Sequence, residues 1–137
     1  MNLPDVVPML GDAGAHVGFF TDTDSPTVLL SELTRKHGVY TLPDAVHRIS
    51  GKSAQIIGLK ERGELREGWH ADINVIDYEN LSTTHAQYVN DFPHNGGRFV
   101  VKGIGYEATI VSGQVVTRNG EYTGNRPGSV IRDFIRG

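Results

Sequence analysis

The stretch "LPDAVHRISGKSAQIIGLKERGELREGWHADINVID", residues 42–77, changes its hydrophobic period partway along. In its first part Ala45, Val46 and Ile49 recur at the spacing of one helical face, and Thr41 with Asp44 stands just ahead as a capping pair. "GKSAQIIGL" predicts a further short helix, with Lys52 or Ser53 near its start and Gly58 at its end. By "ADINVIDY" the spacing has become two, which predicts a strand with Ile73, Val75 and Asp77 on one face.

Working back toward the N-terminus, Ser25-Pro26 predicts a helix start, with Ser25 as N-cap and Pro26 in the first position. Val28, Leu29, Leu30 and Leu33 form its apolar stripe. Arg35, Lys36 and His37 fall in the last turn, where cations suit the helix dipole, and Gly38 stops it. Before it lies a Gly-, Asp- and Thr-rich loop, residues 11–24, and before that "DVVPML", residues 5–10, which reads as a short buried strand. Pro8 counts against a central position in a sheet, because it lacks an N–H.

Toward the C-terminus, "ATIVSGQVVTRNG" predicts a hairpin: Ala108 to Val111, a turn at Ser112-Gly113, then Gln114 to Thr117. "FVVKG", residues 99–103, is another strand, and residues 79–97 read as irregular, with "FPHNGGR" as a loop. Helices in one block and strands in another make the class α+β.

Composition narrows the function. A net charge of −3 with scattered basic residues offers no electrostatic footprint for nucleic acid or for a membrane surface. The absence of cysteine excludes disulfides and thiolate metal sites within these 137 residues and fits a reducing, cytoplasmic setting. No basic, apolar leader and no stretch of about 20 apolar residues is present, so the expectation is no membrane partner.

Three segments together resemble the C-terminal portion of the amidohydrolase superfamily, in its N-acyl-D-amino-acid deacylase (D-aminoacylase) branch. "GDAGAHV", residues 11–17, resembles the end of the eighth strand of a (β/α)8 barrel. Residues 42–77 resemble the linker in which helices lead into G-x-L-x-x-G-x-x-A-D-x-x-V-x-D. "YEATIVSGQVVTRNGEYTGNRPGSVIR", residues 106–132, resembles the last hairpin and tail of the small β-sandwich that accompanies the barrel. The resemblance implies that residues 1–62 are the last strand, loop and helices of the barrel, and residues 63–137 part of the sandwich. It implies a zinc-dependent hydrolysis of the linear amide of N-acyl-D-amino acids, giving a carboxylate and a D-amino acid. The family's metal-ligand histidines have no counterpart here. The expectation is therefore a fragment that binds no zinc alone, is inactive in isolation, and seeks the missing barrel portion or a second copy as partner.

Asp12 is the residue that the resemblance singles out. Among the small neighbours Gly11, Ala13 and Gly14 a carboxylate can approach a water without steric competition, take its proton and return it to the leaving amine. The resemblance implies this catalytic role and, in some members, a metal-ligand role for Asp12. The bland alternative is an Asp stabilising a Gly-rich turn. His16, four residues on, is the candidate substrate contact. The remaining histidines, His37, His47, His70, His85 and His94, lack metal-ligand spacing. Asp22 and Asp24 read as solvated loop and helix-start charge, and "GWHAD" as structural, with Asp72 bonding nearby backbone. Arg126, Arg132 and Arg136 read as surface residues. Two alternatives stand beside the deacylase reading. One is a non-catalytic β-rich assembly or partner-binding domain. The other is an amidohydrolase acting on cyclic imides or dihydropyrimidines, against which the tail "GNRPGSVIR" argues.

Overall fold

Why the helices stop where they do follows from their flanking residues. The computed structural model describes residue 3, residues 6–8 and residues 14–134. The first helix begins as α1, Ser25–Val28, and runs on without a break as a wider π-helical stretch, Leu29–Lys36. Its N-cap is Asp24 and not Ser25, and the Asp24 side chain makes no capping bond. The cap shifts because Pro26 brings no N–H to satisfy, so the turn closes through the Asp24 carbonyl, which accepts from Val28 N at 3.0 Å. The helix ends at Gly38, whose φ of +62° suits a residue without Cβ.

α2, Leu42–Ile49, is capped as expected: the Thr41 hydroxyl accepts from Asp44 N at 3.3 Å. Its inward face differs from the expected one. Ala45 is fully buried and Ile49 packs on the core, but Val46 is exposed and Arg48 is buried in its place. Arg48 sits three residues after Ala45 and so shares its face, whereas Val46, one residue on, is turned about 100° away. α3, Gly51–Ile57, ends at Gly58 with φ +73°.

The remaining chain forms β1 (Ile73–Ile76), β2 (Ser82–Thr83), β3 (Gln87–Phe92), β4 (Gly96–Val100), β5 (Gly103–Ile104), β6 (Tyr106–Val111), β7 (Gln114–Arg118) and β8 (Glu121–Tyr122). They make one antiparallel sheet in the order β1-β6-β7-β8 and two separate pairs, β2 with β5 and β3 with β4. The expected hairpin is β6–β7, slightly longer than predicted at both ends. Its two-residue turn has positive φ at Ser112 (47°) and Gly113 (77°), which matches the right-handed twist of the strands.

Two strand expectations are corrected. Val75 does not share a buried face with Ile73: it is 42% exposed, and burial passes to Ile76. The β1–β6 register shifts between Val75 and Ile76, and that bulge reverses the alternation. Residues 79–97 are not irregular, since they hold β2, β3 and the start of β4. "FPHNGGR" is the tight end of the β3–β4 hairpin, with a short 3₁₀ turn Pro93–Asn95 and positive φ at His94 and Asn95. The polar residues of β3 hid it from a hydrophobicity pattern because most of the strand is exposed.

The expected first strand is corrected in part. Val6, Val7 and Pro8 belong to no strand; the rest of residues 5–10 lies outside the described residues. A strand needs a ladder partner, and among the described residues none runs beside these three, so their region is held by a side chain instead. The class is a mixed helix and sheet fold, as the sequence implied.

The core joins the two blocks. Leu29, Leu30, Tyr40, Ala45 and Leu81 are buried together, with Leu33, Val39, Ile49, Ile76, Tyr78 and Tyr106 packed around them. Arg35 adds a polar clasp from the helix to the 78–81 turn, bonding the carbonyls of Tyr78 and of Leu81 (2.7 Å). Gly105, at φ +91°, lies against this turn: a Cβ there would meet Leu81 Cα and Asp77 O at 3.0 Å.

Candidate functional site

Asp12 lies outside the described residues, together with Gly11 and Ala13. The loop that follows it is well defined by its anchors. Residues 14–19 make a series of turns, opened by Gly14 at φ +98°. The carbonyl of His16 accepts from Phe19 N at 2.8 Å, and the carbonyl of Val17 accepts from Phe99 N at 2.7 Å. That second bond ties the loop to β4.

Between loop and strand lies a cleft of about 150 Å³. Gly14, Val17, Phe20 and Asp22 line one side, and Arg98 and Phe99 the other. Arg98 is oriented by a two-pronged pair with Asp91, Nε to Oδ1 at 2.8 Å and a terminal nitrogen to Oδ2 at 2.7 Å, and stacks over Phe92 at 5.2 Å. The hydrogen bond from Arg98 holds the Asp91 carboxyl below its ordinary value, and the same bond raises Arg98. The sequence reading did not single out Arg98. Its only signal was a charge in a stretch taken for loop.

His16 is exposed, has φ +49°, and packs its ring at tilted angles against Phe19 (6.5 Å) and Phe20 (6.1 Å). It is not among the residues lining the cleft, so the described structure gives its side chain a local packing role and no polar contact. The remaining predicted residues are dispersed. His37 caps the first helix at its C-terminus, and His94 sits at the tip of the β3–β4 hairpin. Asp22 lines the cleft and Asp24 caps the first helix. Arg126 bonds the Tyr122 hydroxyl at 3.2 Å, and Arg136 lies outside the described residues. Asp72 does bond backbone: its Oδ1 accepts from Ser112 N at 2.8 Å while Oδ2 pairs with Arg62, and Ala71 O accepts from Gly113 N at 3.0 Å. "GWHAD" therefore holds the β6–β7 turn.

Among the described residues no three His, Asp or Glu side chains come together as metal ligands do. The described residues do not supply a zinc site by themselves. Nor, among the described residues, is any helix long and apolar enough to cross a membrane.

Comparison with known proteins accords with this arrangement of helices, linker and hairpin. Residues 1–117 match the model of the amidohydrolase family. The chain is 35% identical over 106 residues to N-acyl-D-aspartate deacylase of Alcaligenes xylosoxydans xylosoxydans, covering 77% of this chain and 19% of that protein. It is 30% identical over 115 residues to dihydroorotase of Lactobacillus acidophilus, covering 80% of this chain and 26% of that protein. The crystal structure of D-aminoacylase, described as defining a novel subset of amidohydrolases, superposes with a TM-score of 0.57 at 28% identity, over 73% of this chain and 19% of that one. Another structure of D-aminoacylase, at the same similarity, concerns its binuclear metal centre.

The chain belongs to the amidohydrolase family. Within it, the chain falls in the D-aminoacylase branch that its sequence resembles. It spans about a fifth to a quarter of the length of the curated relatives it matches.

Proposed function

We propose that this chain supplies the last part of a zinc-dependent hydrolase of N-acyl-D-amino acids. The observation that carries the reading is the 35% identity to N-acyl-D-aspartate deacylase, which runs through helices, linker and strands alike. In this reading residues 1–62 belong to the (β/α)8 barrel and residues 63–137 to its accompanying β-sandwich. Asp12 is the group that moves protons. It accepts one from the water attacking the linear amide and delivers it to the departing amine, giving a carboxylate and a D-amino acid. His16 stands at the edge of the substrate region. Zinc is the cofactor of the complete enzyme; its ligand set, apart from a contribution by Asp12, comes from outside these residues.

A chimera tests this. Replacing the homologous fifth of D-aminoacylase by these 137 residues gives a chain that should hydrolyse N-acetyl-D-amino acids when zinc is supplied. The isolated chain should show no turnover. Activity of the chimera on cyclic imides or dihydropyrimidines alone would favour the other branch, toward which the dihydroorotase similarity points.

A second reading has its own support. Phe19 (82%), Leu65 (78%) and Ile56 (60%) are large apolar side chains left in solvent, which a partner would cover if they share one face. The partner in this reading is the missing barrel portion or a second copy of the chain. Sedimentation of the purified chain as a single monomeric species would count against it.

A further inference from the structure

Two Asn-Gly pairs stand at hairpin ends, Asn95-Gly96 between β3 and β4 and Asn119-Gly120 between β7 and β8. A glycine has no side chain to keep its backbone nitrogen away from the preceding amide. The other described asparagines, Asn74, Asn80, Asn90 and Asn125, are each followed by a residue that has one. Asn95 and Asn119 are alike in their own surroundings. Both are exposed, both have positive φ (58° and 49°), and neither side-chain amide makes a hydrogen bond among the described residues.

Their glycines differ. Gly96 donates its N–H to the Pro93 carbonyl and is crowded, since a Cβ there would stand 3.2 Å from Phe92 Cβ. Gly120 is exposed, its N–H makes no hydrogen bond among the described residues, and a Cβ there would meet nothing within 4 Å. The tip of the β7–β8 turn is tied down through Asn119 N, which donates to the Glu107 carbonyl at 2.8 Å. That bond leaves the Gly120 nitrogen open.

We propose that Asn119 is a site of self-modification: the Gly120 nitrogen attacks its side-chain amide, and the fold restrains the same reaction at Asn95. The Gly120 nitrogen gives up its proton and bonds to Asn119 Cγ. The Cγ–Nδ2 bond breaks, ammonia leaves with that proton, and a succinimide ring closes. Water then adds to either ring carbonyl and the ring nitrogen departs from that carbon. Opening at Cγ leaves aspartate; opening at the main-chain carbonyl leaves isoaspartate, with the chain running through the side chain. Nothing is oxidised or reduced, and water is the one co-reactant. At Gly96 the proton is already shared with the Pro93 carbonyl, so the nitrogen must first give up that bond.

The product alters a groove of about 390 Å³ lined in part by Asp77, Lys102, Glu107, Asn119 and Glu121. A further carboxylate joins Asp77, Glu107 and Glu121 there, with Lys102 as the lining cation, and like charges repel. The isoaspartate form also lengthens a two-residue turn by a backbone carbon, which disturbs the β7–β8 register of Thr117 with Tyr122 and Arg118 with Glu121. The inference is independent of the reading of the chain as part of a deacylase.

Incubation of the full 137-residue chain at neutral pH tests it, sampled by peptide mass spectrometry that separates aspartate from isoaspartate. In the folded chain Asn119 should convert at least about fivefold faster than Asn95, the scale of one backbone hydrogen bond on the attacking nitrogen. In concentrated urea the two rates should draw together to within about twofold, because denaturant exposes both glycine nitrogens alike. Amide exchange of the isoaspartate fraction should be faster in β8 and unchanged in α2. Asn119→Gln, whose longer side chain closes the ring far less readily, should remove the product at that position and leave the rate at Asn95 as it was. Equal rates in the folded chain, a faster Asn95, or no conversion at Asn119 would each overturn the proposal. So would the same ratio of rates in folded and unfolded chain, because the sequence and not the fold would then set it.

Discussion

The β6–β7 hairpin and the described residues between Leu3 and Thr23 are held by opposite means. The hairpin carries its own instructions: alternating side chains, a ladder made with its sequence neighbours, and a Ser-Gly turn that takes positive φ twice. Of those residues, Leu3 and Val6 are held by Arg48 and Val17 by Phe99, all far away in sequence. Structure made locally withstands the loss of a distant residue. Structure made by remote anchors can be released by one substitution.

This contrast can be broken or sharpened by substitution. Leu81→Ala should have the largest effect. Leu81 is fully buried under both blocks, and removing it should cost about 2–5 kcal/mol by urea unfolding. Because helix and sheet share this core, hairpin and segment should lose protection together. Arg48→Met comes next, leaving the Asp44 carboxylate and two carbonyls without their donor, at about 1–3 kcal/mol. Its exchange signature should fall on the segment alone. Gly113→Ala should cost about 1 kcal/mol by chemical denaturation, through φ of 77° and not through crowding, since a Cβ there meets nothing within 4 Å. That loss should leave the segment unaffected.

Arg98→Met should do least, because its pair with Asp91 is open to solvent. Its effect should depend on pH in a definite sense. The Asp91 carboxyl titrates below its ordinary value of 3.8 in the folded chain, so the contribution of the pair is present above that pH. It is lost as pH falls through the lowered value. Melting curves of parent and variant should differ most near neutrality and converge once pH has fallen through that lowered value.

What the sequence made legible follows the same division. The caps at Thr41, Gly38 and Gly58 and the turn at Ser112-Gly113 were readable because each feature is decided within four residues. The inward face of α2 was misjudged because Val46 looks apolar and Arg48 looks solvated. Yet Asp44 and Arg48 at i, i+4, with Arg48 sharing a face with Ala45 and Ile49, carried the signal of an ion pair whose arginine is buried. The bulge in β1 and the β3–β4 hairpin depend on pairing with residues far along the chain, which no local pattern records. At the candidate site, the small residues around Asp12 were visible in sequence. The cleft was not, because Arg98 reaches it from a strand that reads as loop. His16 was named for its proximity in sequence and lies outside the lining of the cleft.

The most direct test of the account is the turnover number of the D-aminoacylase chimera carrying these residues, compared with the same chimera bearing Asp12→Asn. The account predicts hydrolysis of an N-acyl-D-amino acid that falls at least about a hundredfold with the substitution, the scale of a lost proton-transfer group. An Asp12→Asn chimera that turns over as fast as its parent would contradict it.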